Sequence, residues 1–389
     1  MTRRILCKAG LAFAGGMATT AQVRPTGVEI AGKRKASIQK TIAGIEAELK
    51  AHGGDWSKWV DELAAFRKAL LDVHAWEEKQ NVRTSTADPK FKTALLKAEG
   101  TPPLFVEPYT TGYVAPMLSP EHDHQAWAGS LISPGMVRAT AAWLRKKGID
   151  LIFVPVPKMI DIYGDRVAKM ALPADGIASP HLRKVFLDLL KADIEMVDLL
   201  PKMLEARSKG SEPLTIPADV HWSDTGRIIC VDEVAAVLRR YPEVQRAMKS
   251  APQFSITAEL NTPVLSLAPL LNPTELTAIQ QFLHTPHEIV RRKNGELYGT
   301  FETGQFMVMG DSFATIGPQL AHRINLPVTT TQVPGGTVQP VKELLRDPMA
   351  LEGVKAIIWV VNYAIFFLHD WSGMPQVVMK EMTAARPAQ

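Results

Sequence analysis

The stretch QFMVMGDSFA, residues 305–314, decides how the rest of the chain is read. Its first half is a continuous apolar run, the signature of a strand buried on both faces of a parallel sheet. The run stops on Gly310, Asp311 and Ser312 and turns at once into Phe313 and Ala314. In open α/β sheets ligands collect at the carboxyl ends of the strands, so this stop places Ser312 where chemistry is done. A tight turn alone accounts for Gly-Asp-Ser equally well, and the surrounding chain has to discriminate.

Around this stretch the pattern alternates between helices and buried strands. SPGMVRATAAWLRKKG (133–148) reads as a helix, with Pro134 near its start, Lys146 and Lys147 in its last turn and Gly148 as its stop. IDLIFVPVP (149–157) follows as a buried strand, PHLRKVFLDLLKAD (180–193) as an amphipathic helix and IEMVDLL (194–200) as a short strand. SDTGRIICVDEVAAVLRRY (223–241) is a helix that Ser223 or Asp224 is able to cap, and VKAIIWVVN (354–362) is a last strand. The expected fold class is α/β, with a central, mostly parallel sheet covered by helices on both faces. Ahead of it, Ile42, Ile45 and Leu49 mark one helix, and Trp56, Trp59, Leu63, Phe66, Leu70 and Val73 a second, broken from the first at HGGD (52–55). That predicts an N-terminal helical hairpin. Residues 100–135 are rich in Pro and Gly and read as irregular.

The chain has 389 residues, 46% of them hydrophobic and 22% charged, which is a globular composition with material for a sizeable core. A net charge of +4 without any Lys/Arg-rich run offers no footprint for nucleic acid. MTRRILCKAGLAFAGGMATTAQ (1–22) has the layout of an export signal, with Arg3 and Arg4 before a short apolar stretch and small residues around Ala18 to Ala21. TRRILCK also resembles a twin-arginine signal, and the apolar stretch is too short to span a bilayer. The expected division is a signal peptide over 1–21, a helical region over 22–100 and a catalytic-type domain over 101–380, in a protein placed in the periplasm. Cys7 leaves with the signal, so Cys230 is left as a single buried thiol and no internal disulfide is available.

A serine hydroxyl needs a base to become a nucleophile. Among the ten histidines, His221 stands out in PADVHWSDTG (217–226), two positions after Asp219 and just before a helix. In an extended segment residues i and i+2 face the same side, so Asp219 would reach the imidazole Nδ1 and leave Nε2 for Ser312. Asp224 is the rival carboxylate, but an acid at a helix N-terminus is accounted for by capping and the helix dipole. The same residues read structurally as a tight turn and a helix start, with Asp311 bonding backbone amides to shape the turn. The Ser312 backbone N–H is a natural oxyanion donor at the start of a turn into a helix. Asn362, ending the last strand, is a second oxyanion candidate at the same sheet edge. Lys158, at the end of an earlier strand, Trp222, Tyr113 and Trp127 are candidates to contact substrate, against ordinary packing or a solvated loop. Tyr109 shares that irregular segment. His122 and His124, in EHDHQAW, lack a third ligand, and no metal is expected.

GDSF after a strand resembles the nucleophile block of the SGNH (GDSL-like) hydrolase superfamily. DVHWS (219–223), lying upstream of it, resembles the permuted arrangement of the periplasmic alginate O-acetyltransferases of the AlgX/AlgJ type. GIDLIFVPVPKMIDIYGD (148–165) and IEMVDLLPKMLEAR (194–207) look like segments of that branch, and the resemblance covers about residues 130–370. It implies a three-layer SGNH-hydrolase-like domain and a Ser312–His221–Asp219 triad that passes acetyl through an acetyl-serine to a polysaccharide hydroxyl. It implies no cofactor, and a membrane-bound O-acyltransferase as the partner that supplies acetyl. VVNYAIFF (360–367) departs from the branch, which often carries an acidic and basic pair near this strand end, and this leaves the substrate open. A carbohydrate esterase or deacetylase with the same triad, and a non-catalytic polysaccharide-binding or assembly protein, are the alternatives.

Overall fold

The computed structural model describes residues 27–106, 133–172, 175–210, 213–263, 265–283, 285–299, 302–334, 336, 339–362 and 380. The signal-like segment, Tyr109, Tyr113, His122, His124 and Trp127 lie outside the described residues. The described chain opens with α1 (Gly27–Ala51), α2 (Trp56–Glu62) and α3 (Ala64–Gln80). The helix expected from Trp56 onward is interrupted at Leu63, whose backbone leaves the helical region. Four three-residue strands follow, β1 (Val82–Thr84), β2 (Lys92–Ala94), β3 (Leu96–Ala98) and β4 (Leu104–Val106). They pair antiparallel, β1 with β2 and β3 with β4. The helical reading of residues 22–100 therefore ends near Gln80, since runs of three residues carry too little periodicity to be recognised.

The α/β part comprises α4 (Ser133–Lys146), β5 (Asp150–Val156), α5 (Met159–Ala168), α6 (Pro180–Lys191), β6 (Glu195–Met196), α7 (Leu200–Ser208) and α8 (Asp224–Leu238). It continues through α9 (Pro242–Lys249), β7 (Phe254–Asn261), α10 (Pro273–Gln280), β8 (Thr285–Arg292), β9 (Phe306–Gly310), α11 (Gly317–Ile324), β10 (Val328–Gln332), α12 (Gln339–Arg346) and β11 (Ala356–Asn362). Five strands form one sheet in the order β10-β9-β11-β5-β6, and every neighbouring pair is parallel. β10 was not apparent in the sequence. Its VTTTQ is half-buried at the sheet edge and lacks the apolar run of the inner strands. β7 and β8 form a separate antiparallel pair packed against α8 and α11.

Side chains of the inner strands alternate between two cores, as strand geometry demands. Ile152, Val154, Val308, Ile358 and Val360 face one side, where α3 contributes Phe66 and Leu70 and α8 contributes Val231 and Val234. Leu151, Phe153, Met307, Ile357 and Trp359 face the other, where α1 contributes Ile38, Ile42 and Ile45. The domain is thus a three-layer sandwich, and the N-terminal helices cover both faces of its sheet. Cys230 is buried in the first core, and burial pushes its thiol far up from the usual range. Because all five strands run the same way, their carboxyl ends share one edge. Ser312, Lys158 and Asn362 all lie there.

Candidate active site

Ser312 sits two residues past the end of β9, in a turn that Ala314 N–H closes onto the Asp311 carbonyl at 3.0 Å. Helix α11 begins only at Gly317, so Ser312 rides on the turn that leads into that helix. Gly310 is required there. Its φ is 155°, and a Cβ at this position would lie 1.8 Å from the Val360 carbonyl oxygen. Asp311 is buried and bridges two strand ends. It accepts from Phe313 N–H and from Asn362 N–H, each at 2.9 Å. Burial raises the Asp311 carboxyl above its usual range, against those two bonds and the nearby Lys158 ammonium. The Asp311 reading made from sequence holds: it fixes the turn's shape.

His221 Nε2 lies 2.7 Å from Ser312 Oγ, and His221 Nδ1 lies 2.5 Å from Asp219 Oδ1. These are the contacts expected of nucleophile, base and orienter. The route to them differs from the expected extended segment. Residues 217–221 form a turn and bends, and His221 N–H donates to Asp219 Oδ1 at 2.9 Å. Asp219 reaches its neighbour's ring by closing a local side-chain turn rather than by strand alternation. A β-bridge between Thr215 and Trp222 pins this loop, as do bonds from Ile216 N–H to the His221 carbonyl and from Ser223 N–H to the Leu214 carbonyl, each 3.0 Å. Gly226 lets the loop lie on the first turn of α8, since a Cβ there would stand 2.3 Å from the Leu214 carbonyl oxygen. Ser223 caps α8 by accepting from Gly226 N–H.

The Asp219 carboxylate is 5% exposed, and its second oxygen accepts from Ser266 N–H at 2.8 Å. Burial alone would raise this carboxyl. The bonds from the His221 ring and from the two backbone amides outweigh it and hold the group below its usual range. Asp219 therefore stays ionised opposite the imidazole. Phe313 packs its ring against both His221 (centroids 5.0 Å apart) and Trp222 (5.3 Å), so the residue after Ser312 also braces His221.

Ser312, His221 and Trp222 line a cleft of about 280 Å³ with Asp224, Arg227 and His287. Asp224, the rival carboxylate, does not meet His221. It pairs with Arg227 one helical turn on and lies 3.0 Å from His287 Nδ1. This second cluster was missed in the sequence. The i, i+3 spacing of Asp224 and Arg227 puts them on one helix face, but nothing in the sequence ties them to His287 on β8. Lys158 does not line this cleft. It borders a smaller cavity on the Asp219 side with Val106, Val220 and Leu267, and it is buried, not solvated. Burial lowers its ammonium to about 8, against the pull of Asp161 and Asp311. Asn362 shares the sheet edge, held by Asp311, but is buried and is not among the residues around the cleft.

A parallel three-layer sheet with a serine on the turn after an inner strand, paired to a histidine and an aspartate, defines an SGNH-like α/β protein. Residues 123–363 match the family described as SGNH hydrolase-like domain, acetyltransferase AlgX, and the chain belongs to it. Among solved structures the chain is similar to the O-acetyltransferase domain of Pseudomonas putida AlgJ, with 14% identity, a TM-score of 0.49 and coverage of 78% of this chain and 99% of that one. It is also similar to Pseudomonas aeruginosa AlgX, at 17% identity and a TM-score of 0.44, over 74% of this chain and 66% of that one. Bacillus cereus PatB1 follows at 12% identity and a TM-score of 0.33, over 63% of this chain and 94% of that one. No curated protein matches.

Proposed function

We propose that this protein is an exported polysaccharide O-acetyltransferase in which Ser312 carries the acetyl group. The observation that supports it most is the continuous chain of hydrogen bonds from Asp219 through His221 to Ser312, opening into a cleft. In this reading Ser312 Oγ attacks the donor's acetyl carbonyl and its proton passes to His221 Nε2. Ionised Asp219 stabilises the imidazolium that forms. The Ser312 N–H, at the turn, faces the developing oxyanion, and the proton on His221 leaves with the donor's departing group. A sugar hydroxyl then attacks acetyl-Ser312, gives its proton to His221, and leaves acetylated as Ser312 Oγ takes that proton back.

The family resemblance supports a membrane-bound O-acyltransferase as the source of acetyl, and a periplasmic site of action. Among the described residues no helix is long and apolar enough to cross a membrane. The test is incubation with 4-nitrophenyl acetate, with and without a panel of neutral and uronate oligosaccharides, beside Ser312→Ala. Mass spectrometry follows acetyl on Ser312 and on sugar. Sugar acetylation that disappears in Ser312→Ala is expected. Release to water with no acetylated sugar would make the protein an esterase, and identical behaviour of the two proteins would leave a non-catalytic polysaccharide-binding role.

A further inference from the structure

We infer that Asp224, Arg227 and His287 form the subsite that seats the accepting sugar hydroxyl in the cleft of Ser312. The inference rests on Ser312 being the acyl carrier. The three side chains share a cleft with Ser312 and His221, yet none of them bonds a member of that triad. Triad chemistry does not account for them. His287 Nδ1 lies 2.9 Å from Arg227 Nη2 and 3.0 Å from Asp224 Oδ1. Both anchors hold the Nδ1 edge, and no hydrogen bond among the described residues reaches Nε2, on a side chain that is 27% accessible.

The charge balance indicates what chemical class fits. Arg227 is almost fully buried, and its Nε has no hydrogen-bond partner among the described residues. Asp224 neutralises it through the ion pair, so the cluster offers hydrogen-bonding edges without a net positive field. An anionic group would gain little there, and an uncharged polar group suits it. The imidazole has two tautomers. If Nδ1 accepts from Arg227, Nε2 donates; if Nδ1 donates to Asp224, Nε2 accepts. A hydroxyl is both donor and acceptor and fits either state, whereas a carbonyl or carboxylate fits only one. Pro217, Pro263, Phe282 and Leu283 give the same cleft an apolar lining that suits the C–H face of a sugar ring. Acetyl transfer instead of hydrolysis requires that such a hydroxyl outcompete water at acetyl-Ser312, and a dedicated seat achieves that by orientation.

The test compares wild type, His287→Leu and His287→Gln on the oligosaccharide panel, reading acetyl-Ser312, acetylated sugar and free acetate in one tube. The leucine variant is expected to raise the acceptor KM and to lower the ratio of transfer to hydrolysis by about tenfold, the size of one lost hydrogen bond. Acetyl-Ser312 formation should fall by much less. Glutamine, which carries polar atoms where Nε2 stood, should recover part of the ratio. An unchanged ratio and KM in the leucine variant, with acetyl-Ser312 formed, overturns the subsite and leaves the acyl carrier intact. No acetyl-Ser312, or no acetylated sugar, from wild type overturns the function and the subsite together. A measurement free of folding effects uses ¹⁵N-histidine-labelled Ser312→Ala protein. The His287 Nε2 resonance is expected to move on saturation with the best acceptor, and an unmoved resonance overturns the inference.

Discussion

At the scale of single residues, the site depends on Asp219 and Gly310. Asp219 is kept ionised by three donors, and in the proposed mechanism it fixes the His221 tautomer. Asp219→Asn preserves the shape but presents an amide to Nδ1. We expect the rate of acetyl-Ser312 formation to drop by a factor on the order of a thousand or more, as loss of the correct tautomer does in such triads, measured from the 4-nitrophenolate burst. The sign of its pH linkage follows from its lowered value: stability from this carboxylate is present above about pH 4, its unfolded range, and is lost as pH falls through the lower folded value. Gly310 is the second single-residue determinant. Gly310→Ala forces a Cβ into the Val360 carbonyl at a φ that alanine disfavours, so β9 or β11 must shift. The expected cost is about 2 kcal/mol or more in urea denaturation, together with loss of the burst even in the folded fraction. A Gly310→Ala protein with wild-type stability and burst would contradict the role given to this turn.

At the scale of elements, what was legible in the sequence is what physics makes repetitive. β5, β9 and β11 are buried on both faces and so read as unbroken apolar runs, α4 and α6 carry a helical period, and α8 is opened by the Ser223 cap. Hence the parallel sheet and the stop at Gly310 were readable, and with them the Ser312–His221–Asp219 set. Elements that escaped are those with a different energetic basis. β10 is a polar edge strand, β6 is two residues long, and β1 to β4 are held by pairing rather than by pattern. The Asp219 turn and the Asp224–Arg227–His287 cluster depend on contacts between distant positions or on local side-chain turns, which spacing does not encode. Arg183 on α6 is a case of the same kind. Its guanidinium is 2% exposed, grips both oxygens of Glu48 on α1 at 2.7 and 2.8 Å, and reaches Asp198 beyond β6 at 2.6 Å. Removing it strands two acids beside a buried gap. Arg183→Ala is expected to destabilise by about 3–5 kcal/mol in equilibrium unfolding, a far larger loss than for an exposed ion pair. A loss under about 1 kcal/mol would show that α1 is not held by this link.

At the scale of the whole molecule, the N-terminal helices are part of the domain and not an appendage. α1 supplies Ile38, Ile42 and Ile45 to the core on one face of the sheet, and α3 supplies Phe66 and Leu70 to the core on the other. The turn after α1 and helix α2 therefore carry the chain from one face to the other, and His52 sits in that turn. Its ring stacks on Trp59 at 4.4 Å with planes 6° apart. Its Nδ1 lies 2.5 Å from Glu62 Oε2 and its Nε2 2.8 Å from Asp175 Oδ2. Two carboxylates facing both nitrogens call for a ring protonated at both. Burial works against the charged ring, but the bonds to Asp175 and Glu62 prevail and raise the His52 pKa above its usual value. A raised folded value means that the stabilisation is complete below the unfolded value near 6.5 and fades as pH rises through the folded one. Wild type should thus lose urea resistance as pH rises above about 6.5, and amides of α2 should lose protection relative to their intrinsic exchange rates over the same rise. His52→Gln, which keeps a donor but does not titrate, should flatten that pH dependence while lowering stability at pH 6. An equal pH slope in both proteins would place the titrating group elsewhere and leave His52 as a packing residue against Trp59.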